Sequence, residues 1–262
     1  MSILYEEYQK GKQTYEQLAD KYNCSTKTIK RRLDKYSPVA SKVEPRAVIV
    51  LMDTTYWGRK FGVMLFRDSI TKENLLKYYV KNETVYKYKE GIRELITMGF
   101  EIKAIVCDGK PGLLKGFGDT PVQMCQFHQK QIIKRYLTKR PKLIASIELK
   151  QIVDILCVTD KESFEGALGD WYLKWRDFLN ERTTNLENGK SFYTHKRLRS
   201  AYNSLTRNLK NLFVWYDNYE LKIPNTTNGI DGHFSDLKNK LRNHNGLSEH
   251  RKKKFIDSYL RV

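Results

Sequence analysis

The sequence predicts an α/β protein: a mixed sheet, interrupted by an all-helical insertion and preceded by a small module of short helices. Three observations predict it. Arg46–Tyr56 (RAVIVLMDTTY) carries six unbroken apolar residues, Ala47–Met52, that run straight into Asp53. Such a run, rich in β-branched residues, suits a strand buried on both faces. The pattern recurs at Ile102–Asp108 (IKAIVCD), another apolar strand ending in an acid. From Phe127 onward the chain reads mostly as helix. An acid at the end of a buried strand is costly to desolvate unless something pairs it. Two such strands therefore suggest a cation shared by Asp53 and Asp108. Capping of local turns is the alternative, since Asp is a common turn residue.

Composition narrows the partner. Over 262 residues, Lys and Arg number 48 against 30 Asp and Glu, for a net charge of +18. That imbalance points to a polyanion, with nucleic acid first and a membrane surface second. No apolar run approaches the ~18 residues of a spanning helix, so no membrane partner is expected. MSILYEEYQKGK has no signal-peptide layout, and a cytoplasmic location is expected. The four cysteines, Cys24, Cys107, Cys125 and Cys157, are scattered, as reduced thiols are.

Residues 1–37 read as helical and separate. Ile3, Leu4, Tyr5 and Tyr8 make one apolar face, and Gly11 ends that helix. Thr14 with Gln17 forms a capping box. Leu18, Ala19 and Tyr22 follow on one face, and Asn23-Cys24 makes a break. Ser25 caps a second helix whose Ile29 and Leu33 stand four apart. Two short helices with a tight turn, the second carrying Lys27, Lys30, Arg31 and Arg32, describe a helix-turn-helix. Ser25, Lys27, Lys30 and Arg31 are its expected DNA contacts. A helical hairpin with a solvated basic face is the alternative. Residues 38–45 read as a linker.

After the Asp53 strand, Lys60–Arg67 reads as a second strand and Asn74–Lys81 as a third. Tyr86–Met98 has helical spacing, with Ile92, Leu95 and Ile96 inward and Gly99 at its end. Ile102–Cys107 is the fourth strand and Pro121–Met124 a short fifth. Three strands, a helix, a strand, a short helical stretch and a strand make the order of a ribonuclease H-like sheet. In that fold the first and fourth strands are neighbours, which brings Asp53 and Asp108 together. This part spans 46–137. The helical insertion spans 138–222, and helices from 223–262 complete the core. Gln129–Lys142 holds six basic residues and no acid. Trp171 and Trp175 lie on one helix face, where plain packing explains them. Glu181–Lys190 reads as a loop, and Phe192–Leu212 as another basic helix.

Phosphoryl transfer by two metal ions usually needs a third acid. Asp231 fits by helix phase. Phe234, Leu237 and Leu241 define the apolar face of the last long helix, and Asp231 stands three residues before Phe234. Asp236 falls well round the helix, toward solvent. Thr226–Asn228 are expected to cap this helix. Gly229 and Gly232 are expected to let its backbone approach the sheet. A first-turn acid meeting the helix dipole is the alternative for Asp231. Cys125-x-x-His128 has the spacing of half a zinc site, but no second pair stands at ligand spacing, so zinc is not expected; a buried structural role is the alternative to a place near the pocket.

Four motifs carry a family resemblance over nearly the whole chain: VLMDTTYWG at Asp53, IVCDGKPGLL at Asp108, QMCQFHQ at Cys125–His128, and PNTTNGIDGHFSDLKNKLRNHNGLS around Asp231. With them the chain resembles bacterial insertion-sequence transposases of the Mutator-like superfamily, the DDE type. The resemblance implies a ribonuclease H-like catalytic domain and two Mg²⁺ or Mn²⁺ ions. It implies Asp53, Asp108 and Asp231 as the catalytic, metal-binding triad, with Cys125 and His128 supporting the pocket. It implies DNA cleavage at transposon ends and strand transfer into target DNA. Expected partners are double-stranded DNA and a second copy of the chain, as a homodimer on DNA, in a bacterial cytoplasm at the nucleoid. The family's third acid is normally Glu, one methylene longer than Asp231. Close relatives often carry a cysteine-rich, zinc-binding segment ahead of the helix-turn-helix, which the residues before Thr14 lack. Two other readings remain: a decayed or domesticated transposase that only binds DNA, and a nuclease of the same fold that cuts without joining.

Overall fold

Strand pairing organises the molecule. The computed structural model describes residues 3–110 and 112–262. Three short helices come first: α1 (Ile3–Gln9), α2 (Tyr15–Lys21) and α3 (Thr26–Lys35). Then come β1 (Ala47–Trp57), β2 (Phe61–Asp68), β3 (Asn74–Val80), α4 (Val85–Thr97), β4 (Glu101–Cys107) and β5 (Val122–Met124). The sheet order is β3-β2-β1-β4-β5. β1, β2 and β3 pair antiparallel, while β1 with β4 and β4 with β5 are parallel. This mixed sheet with helices is consistent with a ribonuclease H-like core.

The remaining elements are α5 (Gln126–Leu137), α6 (Ile144–Asp154), α7 (Lys161–Asn180), β6 (Arg182–Thr184), β7 (Ser191–Tyr193), α8 (Lys196–Leu212), α9 (Val214–Asp217), α10 (Asn228–Arg242) and α11 (Glu249–Leu260). β6 and β7 form a small antiparallel hairpin: β6 falls in the stretch expected to be a loop, whereas β7 lies past it and takes Phe192 and Tyr193 out of the expected basic helix, which begins at Lys196. The hairpin's polar, exposed strands carry no burial pattern, so periodicity gave no sign of it. No helix among the described residues is long and apolar enough to cross a membrane.

Alternation along the strands separates two cores. One face of the sheet carries Val48, Val50, Met52, Met64, Phe66, Ile105 and Cys107, and packs on Tyr88, Ile92 and Leu95 of α4. Gly91 makes that seating possible, because a β-carbon there would lie 2.1 Å from the Phe66 ring. Ile96, expected inward, is 54% exposed: it lies one residue past the buried stripe, on the helix flank. The opposite face carries Ile49, Leu51, Val63, Leu65, Ala104 and Val106. It packs on Ile230, Phe234 and Leu237 of α10, with Phe255 and Ile256 of α11. Helices α5 to α8 enclose a core of their own around Leu149, Phe164, Trp171 and Leu205. Trp171 is buried and donates its indole N–H to the Ala145 carbonyl, as a packing tryptophan does.

The capping box of Thr14 and Gln17 is present, and Ser25 accepts the Thr28 N–H. Asn23, at a φ of 47°, makes the turn between α2 and α3. These helices share a core with α10 and α11. Tyr8 stacks near His244 and Phe255, and the Gln9 amide donates to the Phe255 carbonyl at 2.9 Å.

Candidate active site

The same alternation positions the acids. Asp53 is two residues beyond Leu51 and Asp108 two beyond Val106, so each continues the face that α10 covers. β1 and β4 are paired in parallel up to Leu51 and Val106, which brings the two chain segments out side by side. Asp53 is not the strand end that its sequence suggests. β1 continues to Trp57 because β2 stays paired with it, Asp53 opposite Leu65. What ends near Asp53 is the pairing with β4, at Leu51 and Val106.

Past Asp108 the chain turns sharply. The Lys110 N–H donates to Asp108 Oδ1 at 3.1 Å, and the Lys110 ammonium donates to the Glu83 carbonyl at 2.8 Å. Gly109 has no side chain where a β-carbon would lie 2.1 Å from the Met124 methyl, so the turn can press against β5.

α10 delivers Asp231 in its first turn. The Gly229 backbone lies over Leu51, where a β-carbon would come within 3.4 Å of its side chain. Gly232, expected to share this role, faces open space. The capping expectation also changes. Thr227 is the N-cap residue, yet its hydroxyl makes no cap hydrogen bond. It lies between Asp231 Oδ2 at 3.1 Å and Cys125 Sγ at 3.2 Å, and its N–H reaches the same sulfur at 3.3 Å. Thr227 is thus a site residue that sequence reasoning passed over as a cap. Asp236 is not free in solvent: Tyr259 donates to it at 2.6 Å and Lys240 pairs with it.

The QMCQFHQ motif divides by role. Gln123 and Gln126 donate to the Leu212 carbonyl at 2.9 and 2.8 Å, and Gln129 donates to Ser204, tying β5 and α5 to α8. Cys125 and His128 turn instead toward the acids. Burial pushes the Cys125 thiol up, but hydrogen bonds from His128 and Thr227 outweigh it and hold it below its ordinary value. The Cys125 sulfur, then the charges of Asp53 and Asp231, push the His128 imidazole up to about 9. His128 is therefore a cation at neutral pH beside the carboxylates. Its Nδ1 is buried without a hydrogen-bond partner.

Burial, then the charge of Asp231, push the Asp53 carboxyl up to about 7; Asp108 adds to this, while the Thr54 N–H and His128 oppose it. Carboxylate oxygens are the donors a hard divalent cation takes, and a cation would relieve this crowding. The donor set fits in kind. Its geometry is not closed: among the described residues, no three His, Cys, Asp or Glu side chains stand close enough to hold one metal ion. The expected triad therefore lies in one region without forming a finished ligand set. Thr227 holds Asp231, the Lys110 N–H holds Asp108, and like charges do not converge by themselves.

A pH-dependent stability follows. The Asp53 proton is held more tightly in the folded chain than in the unfolded one, whose carboxyl titrates at about 3.9. Asp53 therefore favours folding fully below pH ~4 and loses that contribution as pH rises to about 7. Asp53→Asn is expected to match wild type at pH 4 and to exceed it by up to about 4 kcal/mol at pH 8 without metal. Urea unfolding at the two pH values checks this; equal stability at pH 8 would show that Asp53 is not crowded.

No family model matches the chain, and no curated protein matches it. Among solved structures, the catalytic core domain of HTLV-2 integrase, in complex with magnesium and in dimeric form, aligns with 61% of this chain and 99% of its own length. The identity is 16% and the TM-score 0.26.

Proposed function

We propose that the chain is a metal-dependent DNA transposase, with Asp53, Asp108 and Asp231 holding two Mg²⁺ or Mn²⁺ ions. The observation that carries this reading is that the three acids lie near enough to act on one another: the charge of Asp231 and, more weakly, that of Asp108 raise Asp53. When bound, the ions would supply charge neutralisation and an activated water at the phosphodiester. Asp53 and Asp108 would hold them from the rigid sheet, and Asp231 from α10. The His128 cation balances the acids and adds positive charge where a phosphate would sit. Cys125 and Thr227 orient His128 and Asp231, which makes them positioning residues. The net charge of +18 suits the DNA partner.

In this reading residues 1–37 form the DNA-reading module, 38–45 the linker, 46–137 with 223–262 the catalytic core, and 138–222 the helical insertion. α2 and α3 supply a helix-turn-helix. Lys27 and Arg31 are exposed on α3 without an acidic partner among the described residues. Lys30 lies over the Tyr15 ring at 5.0 Å, and Ser25 is engaged as a cap. The double variant Lys27→Ala/Arg31→Ala is expected to weaken duplex binding and lower its salt slope by about 2. Anisotropy titrations between 50 and 200 mM salt measure it; an unchanged slope would place the reader elsewhere.

The deciding experiment incubates the full chain and Mn²⁺ with linear DNA carrying the gene's genomic flanks, together with a plasmid target. Cut ends joined to the plasmid support a transposase. Cutting without joining would replace it with a nuclease, and binding alone with a DNA-binding protein.

A further inference from the structure

The basic stretch Gln129–Lys142 has no part in the chemistry above, yet it lies beside it. Asp108 and His128 open onto a depression bordered by Ile132 and Arg135. Ile132 and Arg135 also border a second depression, with Tyr136 and Arg197. Tyr136 and Arg197 in turn border a third, in the cleft between the α5–α6 connection and the start of α8, where Arg140 and Lys142 stand. The three share lining residues and follow one another, tracing a groove that leads away from Asp108. Its floor follows the helix period: His128, Ile132, Arg135 and Tyr136 are spaced at i, i+4, i+7 and i+8 on α5.

The groove's chemistry is one-sided. Beyond Asp108 no acid lines it. No carboxylate pairs with Arg135, Arg140, Lys142 or Arg197 among the described residues. Arg197 is held in place by donating to the Arg135 carbonyl at 2.5 Å. Tyr136 stands 37% exposed between these cations. Unpaired cations flanking an exposed aromatic ring fit a single nucleic-acid strand, whose phosphates and base faces are both accessible. A duplex presents only its phosphates to such a floor and has no use for the ring. From His128 to Tyr136 the helix rises ~12 Å, so a strand that follows α5 away from Asp108 reaches the Tyr136 ring within a few nucleotides.

We propose that this groove binds an unpaired DNA strand leading from the carboxylates along α5, with a base stacked on Tyr136 and phosphates at Arg135, Arg140, Lys142 and Arg197. The inference rests on the reading of Asp53, Asp108 and Asp231 as a DNA-cleaving centre and adds the path of the strand.

The test compares anisotropy of fluorescein-labelled dT12 with that of a 20-base-pair duplex, using the full chain. Tyr136→Ala is expected to weaken dT12 binding at least about fivefold, a stacking effect, and to leave duplex binding within about twofold. Arg140→Ala/Lys142→Ala, both at exposed positions, is expected to lower the single-strand salt slope by about 1.4. Circular dichroism melting confirms that the variants fold. No binding of dT12 by wild type, or equal losses for dT12 and duplex, would overturn the proposal. Cleavage assays on the same wild-type preparation separate the two readings. Tyr136 and arginine effects in a wild-type chain that shows no Mn²⁺-dependent cleavage support the strand path and leave the catalytic reading to fail alone. Cleavage by wild type with silent groove variants overturns the path and keeps the centre.

Discussion

Asp53→Asn and Asp108→Asn are each expected to abolish metal-dependent DNA cleavage and to leave DNA binding intact. The expected loss is at least about 10³-fold, or ~4 kcal/mol of transition-state stabilisation. The substitution keeps the size and shape of the side chain, so α10 still packs over Leu51 and Val106. What it removes is one of three charges in a space that already raises Asp53 to about 7. An amide oxygen is a poor substitute for a carboxylate at a divalent ion. Binding survives because the basic groups on α3 and along α5 lie on other elements. The two measurements are Mn²⁺-dependent cleavage and anisotropy on the same DNA. The metal-free pH experiment supplies a third: Asn at 53 gains stability at pH 8, and added Mn²⁺ stabilises wild type more than the variant. Cleavage at the wild-type rate by Asp53→Asn would remove Asp53 from the centre.

Much of this arrangement was legible in the sequence, for physical reasons that can be named. Buried strands in a mixed sheet announce themselves by composition, and β2, β3, β4 and β5 lie within a residue of the expected bounds. Capping boxes are local hydrogen-bond patterns, so Thr14 and Ser25 could be read from spacing alone. The helix phase of α10 was readable because Phe234, Leu237 and Leu241 leave only one side for the core. What was not legible depends on partners distant in sequence. Thr227 resembles a cap until Cys125, 102 residues away, is brought to it. The end of β1 is set by β2 rather than by Asp53, since a strand stops where its neighbour stops. Asp236 read as solvent-facing because nothing near it in sequence announces Tyr259 of α11. The groove along α5 needed α8, because Arg197 completes its wall from more than sixty residues away.

Asp231→Ala is expected to lose cleavage and strand transfer as fully as the sheet variants, by on the order of 10³-fold, whereas Asp231→Glu keeps or raises activity. The geometry explains the asymmetry. Asp231 lies in the first turn of α10, held by the Thr227 hydroxyl at 3.1 Å, and no ligand set closes around it as it stands. Asp53 and Asp231 would hold the cation, and the Thr227 hydroxyl on Oδ2 limits how far the Asp231 carboxylate can reach toward it. A glutamate at 231 has one more methylene and one more torsion, so it can reach farther from the same backbone. The neighbouring Gly232 faces open space, and even a β-carbon on Gly229 would meet the Leu51 side chain at 3.4 Å, so α10 itself has little room to move toward the sheet. Extra reach has to come from the side chain. Asp236→Ala is the control. Its partners are Tyr259 and Lys240, away from the acids, and the loss is one of stability, about 1 kcal/mol, with cleavage unchanged. The assay is Mn²⁺-dependent cleavage and joining by the three variants beside wild type, with urea unfolding of each. Full activity in Asp231→Ala together with loss in Asp236→Ala would assign the third acid to the other face of α10. Loss in Asp231→Glu would show that the ligand set needs aspartate length at 231, and that it closes by movement of Asp53 or Asp108 instead.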